Sequence, residues 1–175
     1  MPIRSLQVQT QYITTGNPDT VNETTPYFTA QPGHVLPHGQ GKYQYVQCDS
    51  GATATSVPGV VAAAELAFWK VGQKGRYIVT NDLAQAEQGR NGVAGIFRTA
   101  VTAGNYCYVL QKANGVAVKG TSGSVLDNLI ANSGTSADTT SVAAGTQLTY
   151  ASIGTVTATT SGGNMTADID IPSAE

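Results

Sequence analysis

Two histidines, His34 and His38, stand four positions apart, a spacing that would let both imidazoles face one metal on a helix. Pro32, Gly33, Pro37 and Gly39 interleave with them and forbid that helix, and no Cys or carboxylate flanks the pair. A zinc site needs about three or four ligands. The pair therefore reads as two exposed loop histidines. Asp168 and Asp170 share one face of an alternating stretch, but calcium takes roughly six to eight oxygens, normally from a carboxylate-rich loop. They read as a solvated strand face, and no aromatic sugar cleft accompanies them for glycoside cleavage. Cys107 lies between Tyr106 and Tyr108 with no basic neighbour to hold a thiolate, so it reads as core. No G-x-S-x-G elbow occurs, and both histidines precede position 40, which argues against a Ser-His-Asp triad. The Gly120–Ser124 run (GTSGS) lacks the lysine and helix start of a phosphate loop. The expectation is a non-enzyme with no cofactor and no metal.

The elements that would carry these residues are strands. Residues 5–13 alternate, with Leu6, Val8, Thr10 and Tyr12 on one face and Gln7, Gln9 and Gln11 on the other. The stretch from Thr14 to Gly41 holds four of the seven prolines and few apolar residues, so no regular element is expected there. Residues 1–40 read as an extended N-terminal arm with one strand, and 41–175 as a β-domain. KYQYVQC (42–48) is aromatic and β-branched, and LAFWK (66–70) and RYIVT (76–80) flank a Gly-containing hairpin signal, VGQKG. Between Pro58 and Trp69, Ala and Glu favour one or two helical turns. NDLAQAEQGRNG (81–92) reads as a polar loop.

From Val93 on, VAGIFRTAV, a turn at Thr102–Asn105, YCYVLQK, an Ala113-Asn114-Gly115 turn and VAVK predict a meander, since Asn-Gly is the strongest short hairpin signal. YCYVL is apolar on both faces and so belongs in the centre of the core or under a partner. Met165, Ala167, Ile169 and Ile171 alternate with Thr166, Asp168 and Asp170, as in a half-buried antiparallel strand. An internal echo links the two regions: at one common offset Gly95, Gly104 and Asn105 match Gly154, Gly163 and Asn164. The fold class predicted is all-β, a small antiparallel β-barrel or sandwich with an extended arm and at most one short helix.

Composition narrows the function. Charged residues make up 11% of the 175, against roughly a quarter in an average soluble protein, and the net charge is −2 with no Lys/Arg run. That argues against nucleic acid as the main partner. The polar surface is built from Thr, Ser, Asn, Gln and Gly, which lose little side-chain entropy when covered. Such a surface suits assembly, although secreted lectin-like domains share it. Met1–Leu6 carries no apolar run of the signal-peptide kind and nothing later is long enough to span a membrane, so synthesis in a reducing cytosol is expected, with Cys48 and Cys107 as buried free thiols rather than a bridge. The sequons at Asn22 and Asn164 are discounted on the same ground. Tyr43 and Tyr45 read as core by strand context. Arg4 and Tyr12 on the arm, with Tyr27 and Phe28 stranded between prolines, are the candidate interface residues.

Val93–Val118, with its V-A-G-I, A-V-T-A-G-N-Y and G-V-A pieces, resembles the small β-barrel decoration, or cement, proteins of tailed-bacteriophage heads. Ile153–Ile171 is similar to that family's second hairpin, and YQYVQCDSGAT (43–53) to its opening strand and turn; together they span roughly residues 42–171. The resemblance implies a virion protein on the outer surface of the capsid, made in the host cytoplasm. It would bridge neighbouring major capsid proteins against internal DNA pressure, as a homotrimer or alternatively a dimer, with no nucleic-acid or membrane partner. The arm and the Ala-rich piece after Pro58 depart from the family pattern. A receptor- or glycan-binding β-domain of a phage fibre or tail is the other reading of the same composition.

Overall fold

In a computed structural model, the residues described are 17–26, 31–52, 60–61, 63–82, 84–87, 92–120, 128–131, 139–142, 152–159 and 164–171. They form strands β1 (Val35–His38), β2 (Gly41–Cys48), β3 (Val60–Val61), β4 (Leu66–Trp69), β5 (Ile78–Thr80), β6 (Val93–Phe97), β7 (Val101–Thr102), β8 (Tyr106–Lys119), β9 (Asn128–Ala131), β10 (Thr139–Val142), β11 (Gly154–Thr159) and β12 (Asn164–Asp170). Two three-residue 3₁₀ turns, Pro18–Thr20 and Lys74–Arg76, are the helical pieces among the described residues. The all-β expectation holds.

Ten strands join one sheet in the order β1-β2-β5-β4-β6-β8-β12-β11-β9-β10, and β2 also pairs with β8. That extra pairing closes β2, β5, β4, β6 and β8 into a ring. All its seams are antiparallel except β2–β5, which is parallel. Closure satisfies the backbone groups that open edges would leave bare. The β11–β12 hairpin takes no part in closing the ring. It extends the sheet outward from the second half of β8.

Strand alternation divides the core in two. Val46 and Cys48 of β2, Ala67 and Trp69 of β4, Val79 of β5, Ala94 and Phe97 of β6, and Cys107 and Val109 of β8 form one cluster. Every ring strand contributes to it, so it fills the ring. Tyr45, Phe68, Ile96, Tyr108 and Leu110 point to the other face, where they pack with Val116, Val118, Met165, Ala167 and Ile169. YCYVL is thus buried on both faces, as expected, and β12 alternates buried and open residues as its pattern predicts. Trp69 is buried within the ring.

Three local expectations are corrected. Ala113-Asn114-Gly115 does not turn: β8 runs unbroken through it, and the pairing steps from Ala113↔Ile169 to Val116↔Ala167. One extra residue on β8 makes a β-bulge, with Gly115 at φ +65 donating its N–H to Asp168 Oδ1 at 2.8 Å. A bulge and a hairpin turn both call for positive φ, so Asn-Gly serves either. The helical turns expected after Pro58 are absent among the described residues. Val60–Val61 pairs with β7, Ala64 takes a left-handed φ of +67, and Glu65 is buried against Lys119 and Asn81. Lastly, Val35–His38, within the stretch expected to be irregular, is a strand paired to β2. Pro37 is tolerated because β1 is the sheet's edge and needs no second partner. The strand expected at residues 5–13 lies outside the described residues.

Candidate functional site

Residues 17–26 form a strap laid over the outer face of the ring. Asn17 caps the first 3₁₀ turn, accepting a hydrogen bond from Asp19 N–H at 3.0 Å, and Pro18 at the first position suits the turn. Val21 is buried in the cluster that holds Tyr43, Tyr45 and Tyr108. Asn22 Oδ1 accepts from Thr102 N–H at 3.2 Å and from Asn105 Nδ2 at 2.8 Å. Glu23 and Tyr106 exchange two backbone hydrogen bonds, at 3.0 and 2.7 Å, as one antiparallel bridge. Beyond it Thr24–Pro26 are exposed.

Beneath the strap lies a ladder of tyrosines. Tyr45 and Tyr108 face each other across β2 and β8 with ring centroids 4.9 Å apart, and Tyr106 stacks on Tyr45 at 6.0 Å. Such pairs add roughly 0.5–1.5 kcal/mol beyond area burial. At the strap's start Asp19 approaches Arg98, with Oδ1 and Nε 3.6 Å apart. Both atoms are buried without a hydrogen-bond partner, while each side chain as a whole is 29% exposed. Burial, then the charge of Asp19 and its hydrogen bond to the phenol, push Tyr43 up to about 12, with Arg98 pulling the other way.

Asp19, Arg98 and Tyr43 line a cleft of about 470 Å³, completed by Asn17, His38, the β1–β2 turn and the Asn114-Gly115 bulge. It offers a cation, an anion, amides and backbone groups around an apolar floor of Leu110 and Val116. That set suits a polar, uncharged ligand or an extended peptide more than an isolated ion.

The residues singled out from sequence fall elsewhere. His34 is exposed, whereas His38 closes β1 half-buried, edge-on to Tyr43 at 6.4 Å, so only one of the pair is an exposed loop residue. Among the described residues no group of three or more His, Cys, Asp or Glu could hold a metal. Asp170 pairs with Lys112 at 2.8 Å on an open surface, and Asp168 serves the bulge. Cys48 and Cys107 are free thiols buried in the ring. Burial and then Asp49 push the Cys48 thiol up to about 12, against a backbone hydrogen bond from Gly104; burial and then Cys48 raise Cys107 well above its ordinary range. Tyr43 and Tyr45 are buried, as expected. Arg4, Tyr12, Tyr27 and Phe28 lie outside the described residues. The strap was not legible because its anchor, Val21, is a single apolar residue in a polar run, and Asn22 finds its partners about 80 positions away.

No known protein family, curated protein or solved structure matches this chain.

Proposed function

We propose that the protein is a structural virion component that decorates and stabilises the outer surface of a tailed-phage capsid by bridging major capsid proteins. It would act as a homo-oligomer, a trimer in the first instance. The observation that supports the reading is a closed β-ring in a weakly charged chain, with a strap lying over its tyrosine face. A surface rich in Thr, Ser, Asn and Gln can be covered at small entropic cost, and a subunit that touches several capsomers gains by effective concentration. Binding only the expanded lattice would stabilise that state by mass action. Particles lacking the protein should assemble normally yet release DNA sooner on heating or chelation. Equal heat stability with and without it would remove the cement role.

A fibre or tail domain that binds a receptor or glycan is the second reading, favoured by the cleft between Asp19, Arg98 and His38. Against it, Tyr43, which lines the cleft, is only 7% exposed and presents no sugar-stacking face. Specific signals on a glycan array would favour this reading over the first. No helix among the described residues is long and apolar enough to cross a membrane.

A further inference from the structure

Away from the strap and the cleft, a buried trio gathers the ends of three strands. Glu65 immediately precedes β4, Asn81 follows β5, and Lys119 is the last residue of β8. The backbone fixes their approach: the Ala64 carbonyl accepts from Lys119 N–H at 2.9 Å, and the Glu65 carbonyl accepts from Phe97 N–H at 3.0 Å. Ala64 holds this arrangement at φ +67, a conformation that costs a non-glycine residue free energy. Glu65 is 1% exposed and Asn81 6%.

Each oxygen of the Glu65 carboxylate holds one nitrogen. Lys119 Nζ donates to Oε1 at 2.9 Å, and Asn81 Nδ2 donates to Oε2 at 2.9 Å. An amine and a carboxamide on either side of one carboxylate are the nucleophile, the electrophile and the proton relay of an amide exchange. The Lys119 side chain is long and 30% exposed, so Nζ can swing from Oε1 to attack distance of Asn81 Cγ, about 3–3.5 Å, while Glu65 stays in place. The Lys70–Asp49 pair lacks the third group, since Asp49 Oδ2 has no hydrogen-bond partner.

We propose that Lys119 and Asn81 join through a side-chain amide bond, formed by the folded chain itself with Glu65 as the relay. Oε1 takes a proton from the Lys119 ammonium, and the neutral amine attacks Asn81 Cγ. The Nζ–Cγ bond forms and the Cγ–Nδ2 bond breaks. Oε2 delivers a proton to Nδ2, which leaves as ammonia. Of the two protons that Nζ gives up, one departs in the ammonia and the other stays on Glu65. No oxidant, reductant or further reactant is required. The exchange replaces a buried ion pair by neutral groups, which relieves the cost of burying charge. Confinement of the reactants is equivalent to an effective concentration of about 10⁵–10⁸ M. The bond ties the end of β5 to the end of β8 across β4 and β6, and it stands independently of the capsid reading.

The test is peptide mapping of the full chain by mass spectrometry, fresh and after long incubation at neutral pH. The intact mass should fall short of the sequence mass by one ammonia. Trypsin should fail to cut after Lys119, and tandem spectra should join the peptide Tyr77–Arg90 to the one that begins at Ala113. Lys70, paired but without an amide, should be cut normally. Lys119→Arg keeps the positive charge beside Glu65 and should show the full sequence mass. Normal cleavage after Lys119 in the native chain would overturn the inference, whatever ammonia loss the intact mass shows. A linked peptide as abundant in Glu65→Gln as in the native chain would overturn the relay.

Discussion

The two halves of β8 are one continuous strand with opposite lives. Tyr106–Gln111 is clamped between β2 and β6, and from Cys107 on every residue is buried on whichever face it points. Lys112–Lys119 pairs with β12 and alternates exposed and buried residues on either side of the bulge. The first half is a wall of the ring shared by both cores. The second is an ordinary half-buried strand. The bulge at Asn114-Gly115 marks the change, re-aiming the strand as it leaves the ring. Burial on both faces makes the first half intolerant, whereas the second can absorb change on its open side.

That contrast is sharpest for truncation. Leu110→Ala should lose about 2–5 kcal/mol, because a fully buried side chain leaves a cavity in the packed core outside the ring, among Tyr45, Ile96 and Met165. Ala117, on the open face of the second half, should accept Ser within about 0.5 kcal/mol. Urea melts of both variants would check the pair, and equal losses would dissolve the distinction.

Alkali probes the same divide. Both thiols of the ring, Cys48 and Cys107, ionise far later folded than unfolded, as their pKa values are raised. The folded state therefore holds protons that the unfolded chain releases. Stability from Cys48 is complete below about pH 8.5, the unfolded thiol's value, and falls as pH rises toward about 12. The slope is at most about 1.4 kcal/mol per pH unit for each thiol. Thermal melts between pH 8 and 11 should show this decline, and Cys48→Ala should flatten it. A slow thiol reagent should not label the folded chain at neutral pH.

Gly115→Ala places a Cβ at φ +65 and should cost about 1 kcal/mol, with the bulge retained. A neutral result would mean that the bulge is not what separates the halves. A similarly small effect belongs to Lys112→Ala, which removes an exposed pair with Asp170: about 0.2–1 kcal/mol, vanishing in high salt.

Legibility in the sequence follows the range over which each feature is determined. Met165–Ile171 and Tyr106–Leu110 were readable because alternation and two-sided apolarity are local properties of a strand. The echo between Gly95 and Gly154 also has a local cause. A Cβ on Gly95 would lie 2.8 Å from Val109, and one on Gly154 would run into the Asp168 carbonyl, so both strands approach too closely for a side chain. Asn114-Gly115 was misread because positive φ is all the pair encodes. Whether the chain then folds back or bulges is decided by Ile169 and Asp168, more than 50 positions away. The stretch from Pro58 to Trp69 looked helical by propensity, but Glu65 finds Lys119 and Asn81, and tertiary pairing overrode a weak local preference. The strap and cleft were the least visible, since Asp19, Arg98 and Tyr43 meet only once the ring has formed.

The β2–β8 seam also sets a timetable for synthesis. Gln44 must meet Gln111, 67 positions later in the chain. At about 5–20 residues per second, β2 leaves the ribosome and waits roughly 3–13 s for its main partner. Throughout that interval β1 alone, and later β5, can pair with β2, and Tyr45 and Val46 lack the β8 side chains that pack on them, on a segment with a single charge, Lys42, to hold it apart from its neighbours. Crowding among unfinished chains is therefore a hazard specific to this seam. Slower initiation on each message should therefore raise the folded fraction, which the soluble yield would show.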